Sequence, residues 1–479
     1  MSKSKIISVL GLILLYSIIS FAQTTGKPPV IIIPGVTGSD LVNSKTGKTV
    51  WFSLKRDKDD DLRLPMTSPI LSANRDSLIP KDIIRKVEIS VLPDVEVYQS
   101  LIDALKSRGF TEGNWDKPEA TDVFYVFPYD WRRDNIETAR LLIQRIETAK
   151  RLLKRPELKF DILAHSMGGL IARYAAMYGK AEPPATAAPR PTWAGAVHID
   201  KLMMFGTPNE GAMDSLNSLI NGYPIVGDRK LPFIDDLRPE DVMSNPSSFQ
   251  LLPHQNSARF LDENLKPMSV DIYNIDTWIK YGWGTIADPK FLRKLKGAPQ
   301  TGDVVKKTNI SEPASDKSPD DILVERTTYA QVRAYFISAL ARAKRFQAAL
   351  DAPSPSTPIR IFAYGGNCAE TLDAVVIVRD EKNNRWETIV EPKDFKGIGG
   401  KEIKKDAVKA AIYAIGDGRV TQRSLLAETS INGGPEFENI AFASSFFACG
   451  SHQKLFLEKL IQDSFLSTLM MAKAIGLRD

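Results

Sequence analysis

The stretch from Lys159 to Tyr178 constrains this chain more than any other. A strand-like run, Lys159 to Leu163, leads into Leu163-Ala164-His165-Ser166-Met167-Gly168-Gly169, and helical spacing resumes from Met167 to Tyr178. A strand that reverses sharply into a helix crowds its own backbone, so the positions two before and two after the turn must be small. Ala164 and Gly168 meet that need. The turn residue is Ser166, whose hydroxyl such a turn lifts out at the carboxyl end of a sheet. That is the local geometry a nucleophilic serine requires.

Pro29-Val30-Ile31-Ile32-Ile33 is β-branched after its proline, as in a strand buried on both faces. Helical spacing over Val95–Lys106, a strand over Asp122–Phe127, a helix over Asn135–Leu153 and a strand over Lys201–Phe205 complete an alternating pattern. Alternation predicts an α/β fold with a mostly parallel sheet and helices on both faces. The pattern breaks between Gly211 and Pro358, where Pro-interrupted polar stretches and one long helix, Ala330–Leu350, read as a cap inserted over the sheet. Strands are expected again at Ile359–Tyr364, at Ala374–Val378 and Arg385–Val390 around a surface hairpin, at Ala410–Ile415 and at Ile440–Phe446. A terminal helix follows His452. With 479 residues, 43% of them hydrophobic and 25% charged, there is ample material for a core, and a disordered or disulfide-dense small chain is excluded. A formal charge of +5 is too small an excess to demand nucleic acid.

Lys3 and Lys5 precede an apolar run from Ile6 to Phe21, closed by Ser20-Phe21-Ala22. This reads as a signal peptide cut after Ala22, which sends the chain to the periplasm or the extracellular space. The alternative, an uncleaved anchor, is disfavoured because the run falls short of the ~20 residues that span a bilayer. An oxidising compartment permits the only two cysteines, Cys368 and Cys449, to pair; free buried thiols are the other reading.

A serine becomes a nucleophile when an imidazole takes its proton, and the imidazole must be oriented by a carboxylate. In this fold class the three follow in the order serine, acid, histidine. His165 lies inside the turn and points away from Ser166, His198 precedes a core strand, and His254 lies in the insertion. Only His452 follows the last strand. Asp417, in Gly416-Asp417-Gly418 after an expected strand, is the acid; Asp373, with no strand immediately before it, is the reserve. An oxyanion hole needs two backbone amides: Met167, after the serine, and Val36 in the loop Pro34-Gly35-Val36-Thr37-Gly38, with Thr37 as its alternative. No metal-ligand spacing is visible, and Asp57-Lys58-Asp59-Asp60-Asp61 lacks the spacing and glycine of a calcium loop, so no metal or cofactor is expected.

Several segments, in order, resemble the lecithin:cholesterol acyltransferase, lysosomal phospholipase and phospholipid:diacylglycerol acyltransferase family. They are Val30 to Ser39 with Val50-Trp51-Phe52-Ser53-Leu54, Phe127-Pro128-Tyr129-Asp130-Trp131-Arg132, the serine turn, and Phe205-Gly206-Thr207-Pro208-Asn209-Glu210-Gly211-Ala212. Pro246 to Pro253, Gly416-Asp417-Gly418-Arg419-Val420 and His452 complete the set. The Pro-Tyr-Asp-Trp-Arg string is the most specific of them. The resemblance implies an α/β-hydrolase core with an inserted cap, a lid over Met213–Val242, and an acyl-enzyme formed on Ser166 with Asp417 and His452. Asn209 stands where relatives often have histidine, and the early tryptophan-rich membrane loop is shortened to Asp40–Lys58. Asp130 and Arg132 read as a structural pair, with Trp131 near the acyl channel.

The expected organisation is a leader over 1–22, core over 23–212, lid and cap over 213–358 and core again over 359–479. The expected activity is an O-acyltransferase or acyl hydrolase on lipid esters. A phospholipid is the donor and an alcohol or water the acceptor, with transient contact to a lipid surface and no nucleic acid partner. The alternatives are a secreted esterase on soluble or glycan-linked esters and a non-catalytic lipid-binding protein.

Overall fold

The computed structural model describes residues 26–53, 61–87, 95–224, 236–297, 327–354, 356–427 and 440–471. The expected leader, residues 57–60 of the acidic run and residues 225–235 of the expected lid lie outside them.

Seven strands form the central sheet: β1 (Val30–Ile33), β2 (Thr111–Glu112), β3 (Val123–Val126), β4 (Phe160–His165), β5 (Ile199–Phe205), β6 (Arg360–Gly366) and β7 (Phe442–Ala448). Their spatial order is β7-β6-β5-β4-β1-β3-β2, and every neighbouring pair is parallel. Side chains alternate faces along a strand. Val30 and Ile32 therefore join Leu163, Met203 and Phe205 against α1 (Gln99–Ser107) and the C-terminal helix Lys459–Met470. Ile31 and Ile33 join Ile162, Ala164, Leu202 and Met204 against α2 (Asn135–Leu152) and α3 (Met167–Tyr178). Burial on both faces is why β1 reads as an unbroken apolar run; in β4 and β5 the apolar stretch is interrupted by Asp161 and Lys201, which pair with each other at 2.9 Å. This is the α/β-hydrolase architecture.

The insertion carries α4 (Met213–Asn221) and the long helix α5 (Tyr329–Leu350), whose start is closed by a capping box between Thr328 and Gln331. Asp134 joins the layers: it caps α2 through the Ile136 amide and accepts from Gln250 and from Arg342 of α5, each at 2.7 Å. Among the described residues, no helix is long and apolar enough to cross a membrane.

Three local expectations need correction. The helix expected from Val95 begins at Gln99, after a two-residue strand, Val95–Glu96. The strand expected at Ala410–Ile415 is mostly helix α6 (Lys405–Ile412), because Val408 and Ile412 lie one turn apart and are buried together among alanines that favour helix. The extended part is Tyr413–Gly416, which pairs antiparallel with Ala369–Leu372 outside the central sheet. That second strand ends directly before Asp373, so the reserve acid does follow a strand. The hairpin Ala374–Asp380/Arg385–Ile389 forms, but in an outer sheet with Arg259–Leu261 and Pro267–Met268 from the insertion.

Candidate active site

Ser166 joins β4 to α3 with φ 53° and ψ −126°, a conformation side chains avoid. Its amide donates to Phe205 O at 2.8 Å, and its carbonyl accepts from Gly169 at 3.0 Å. A Cβ on Gly168 would lie 2.6 Å from Pro34 O, so only glycine lets α3 approach the loop after β1.

His452 starts the 3-10 turn His452–Leu457 beyond β7. Its Nε2 lies 2.9 Å from Ser166 Oγ and its Nδ1 2.8 Å from Asp417 Oδ2. Its amide also donates to Asp417 O at 2.8 Å. The other carboxylate oxygen of Asp417 accepts the Arg419 and Val420 amides at 3.0 and 2.8 Å, which orients the buried carboxylate. The three residues chosen from chain order are thus brought together in hydrogen-bonding sequence. Asp373 is not: its two oxygens are taken by Arg259 and Arg423. His198 contacts Lys150 at 3.2 Å and His254 pairs with Asp351 at 3.1 Å.

The turns carrying the acid and the base are tied at the sheet's carboxyl edge. Parallel register places Gly366 opposite Ala448, and just beyond them Cys368 and Cys449 form a disulfide.

The loop after β1 packs directly on the serine, since a Cβ on Gly35 would lie 2.8 Å from Ser166 Cβ. It is held from three sides by Tyr129 Oη donating to Pro34 O (2.9 Å), Trp51 Nε1 to Thr37 O (2.8 Å) and Trp131 Nε1 to Ser39 O (3.2 Å). The Pro-Tyr-Asp-Trp-Arg string therefore supports this loop. Arg132, fully buried, anchors the string through Asp130 at 2.9 Å and Asp76 at 2.5 Å. Val36 and Thr37 line the cavities beside Ser166, and Met167 opens α3, where first-turn amides lack helical acceptors.

Two cavities meet at Ser166 and His452. The first runs between Trp131, Leu237, Val242, Leu251 and Val420, the second past Trp51, Phe52 and Ile84 toward Lys454. Both are bordered by Tyr223, which exchanges backbone hydrogen bonds with Leu237 at 2.8 and 3.0 Å. Arg419, two residues after the acid, reaches Asp214 of α4 at 2.8 Å and stacks over Tyr223 at 4.9 Å.

The residues missed from sequence are Tyr98, Gly206 and Arg419. Gly206 and Arg419 lay inside recognised segments, but their contacts are with distant parts of the chain. Tyr98 lay inside the helix expected over Val95–Lys106, with no motif to single it out.

The family model described as lecithin:cholesterol acyltransferase matches residues 84–327, slightly more than half of the chain. The match contains Ser166; Asp417 and His452 lie beyond it. Among solved structures, the chain is similar to the Tle4–Tli4 complex at 13% identity and a TM-score of 0.47, covering 92% of this chain and 97% of that one. It is also similar to the mature Bacillus licheniformis lipase BlEst2 at 11% identity and a TM-score of 0.31, covering 93% and 94%. No curated protein matches the sequence.

Proposed function

Because the chain belongs to the lecithin:cholesterol acyltransferase family, whose shared chemistry is acyl transfer from lipid esters or their hydrolysis, we propose that it works through a Ser166 acyl-enzyme on phospholipid. The observation that carries the reading is His452, placed 2.9 Å from Ser166 Oγ and 2.8 Å from Asp417 at the junction of two largely apolar cavities. Ser166 Oγ attacks the ester carbonyl while its proton passes to His452 Nε2. Asp417, hydrogen-bonded to Nδ1, stabilises the imidazolium. The amides of Met167 and Val36 receive the negative oxygen of the tetrahedral intermediate. On collapse the alcohol leaves as lysolipid, taking the proton from His452. An incoming alcohol or water then gives its proton to His452 as it attacks the acyl-enzyme, and on collapse His452 returns that proton to the departing Ser166 Oγ.

Apolar walls suit an acyl chain. Export is part of the proposal. It is supported by the Lys3, Lys5 and Ile6–Phe21 leader pattern and by the Cys368–Cys449 disulfide, which suits an oxidising compartment.

The test is mass spectrometry of products from phosphatidylcholine vesicles containing an alcohol acceptor, with the intact chain against Ser166→Ala. Serine-dependent new ester beside lysolipid establishes transfer, and free fatty acid alone establishes hydrolysis. No serine-dependent turnover rejects phosphatidylcholine as the substrate.

A further inference from the structure

His165 is the one imidazole beside the site that the reaction does not use. Burial, reinforced by the neighbouring His452, pushes it down to about 3, so the ring is neutral near neutral pH. Its Nε2 lies 3.0 Å from the backbone oxygen of His452. A carbonyl oxygen only accepts, so Nε2 carries the ring's hydrogen and Nδ1 is a bare acceptor. The Tyr98 hydroxyl, 2.8 Å from Nδ1, supplies the hydrogen that Nδ1 needs. With its own hydrogen so directed, the Tyr98 oxygen accepts the Gly35 amide at 2.8 Å. Donors and acceptors therefore match in one sense along the whole sequence, from the Gly35 amide through Tyr98 and His165 to the His452 carbonyl. Such aligned buried bonds reinforce one another in a low dielectric.

The two ends of this sequence matter to catalysis. Gly35 packs on Ser166 and immediately precedes Val36, the proposed oxyanion amide, while the His452 backbone carries the base. The middle members are fixed to rigid elements: Tyr98 immediately precedes α1 and His165 ends β4. Phe456 packs against both rings, at 5.9 Å from Tyr98 and 5.4 Å from His165.

We propose that Tyr98 and His165 are positioning residues for acyl transfer, their hydrogen bonds from the Gly35 amide to the His452 carbonyl setting the Val36 amide and the His452 imidazole in register about Ser166. The inference rests on the proposed role of Ser166. It gives the histidine of the Ala-His-Ser-Met-Gly turn a task apart from that of His452.

The experiment compares the full chain with Tyr98→Phe, His165→Gln, the double variant and Ser166→Ala on p-nitrophenyl butyrate. Active sites are counted by fluorophosphonate titration taken to completion. Each single substitution should lower kcat per titrated serine about tenfold, with KM changed by less than about twofold, since sub-ångström misplacement acts on the transition state. Because both cut the same sequence of bonds, the double variant should be no slower than the slower single one. A purely structural role would reduce the number of titratable sites and leave turnover per site at the wild-type value, which overturns the proposal. So does a double variant slowed by the product of the two single effects. If Tyr98→Phe yields no folded protein, His165→Gln decides by the same turnover per site. Full activity in Ser166→Ala overturns the serine mechanism and the relay with it. An inert Ser166→Ala alongside wild-type turnover in Tyr98→Phe and His165→Gln overturns the relay alone.

Discussion

Gly206, directly after β5, supports the acid–base pair from below, and replacing it with alanine tests how finely that pair is set. A Cβ there would lie 2.8 Å from Asp417 Oδ2 and 2.9 Å from His452 Nδ1, the two atoms joined by the orienting hydrogen bond. Ordinary contact begins at 3.4 Å, so the carboxylate must retreat by about 0.6 Å and the ring by about 0.5 Å. Catalytic groups tolerate roughly 0.5 Å, and a misplacement of about 1 Å costs on the order of a hundredfold. Gly206→Ala should therefore lower kcat per titrated serine by about 10- to 100-fold with KM nearly unchanged. A second cost is conformational: Gly206 has φ +57°, which strains an alanine by about 1–3 kcal/mol. Gly47 separates the two effects, because its φ is +73° with nothing within 4 Å of its Cβ position. Gly47→Ala should lose comparable stability in urea while keeping full turnover. The reasoning is refuted if Gly206→Ala turns over p-nitrophenyl butyrate within about twofold of wild type, or if Gly47→Ala slows it equally.

The two candidate acids should separate cleanly. Asp417→Asn should cut kcat by about 10³–10⁴-fold in a folded protein. Asp373→Asn should keep kcat but lower stability by about 1–3 kcal/mol, since Arg259 and Arg423 lose their shared partner; kinetics with urea unfolding checks both. Burial pushes the Glu210 carboxyl up to about 7 from 4.5. The folded form thus holds its proton more tightly than the unfolded chain. That contribution is complete below about pH 4.5 and is lost as pH rises through about 7. Glu210→Gln should therefore be more stable than wild type by up to about 3 kcal/mol at pH 8 and equal to it near pH 4.5; equal urea midpoints at pH 8 would reject this. The disulfide spans 81 positions, and loop-closure entropy assigns it about 4.5 kcal/mol. Reduction should lower Tm markedly in calorimetry, and an unchanged Tm with two titratable thiols would contradict that estimate.

The serine turn and the strand–helix alternation are legible in the sequence because their causes are local. Crowding within a few residues demands Ala164 and Gly168, and double-sided burial makes β1 continuously apolar and the carboxyl halves of β4 and β5 largely so. Where local signals compete, sequence reading slips. Ala407 to Ile412 suits either a short strand or a helix, and the buried pair Val408 and Ile412 selects the helix. The strand leading to Asp417 lies in a two-stranded ribbon, yet Asp417 still reaches His452, because amides on its own turn fix the carboxylate.

Read alone, the sequence determined the parallel α/β core, the position of the serine turn and the placing of His452 after the last strand. All of these depend on near-neighbour sterics, burial periodicity and chain order. Only the tertiary structure decided between Asp417 and Asp373, joined Cys368 to Cys449, and placed Tyr98 and Gly206 against the site. Those outcomes need residues 35 to 286 positions apart to meet within about 3 Å. Such meetings follow from the register of β6 and β7 and from which arginines reach which carboxylate. No local pattern encodes a distance between segments; packing around the assembled sheet does.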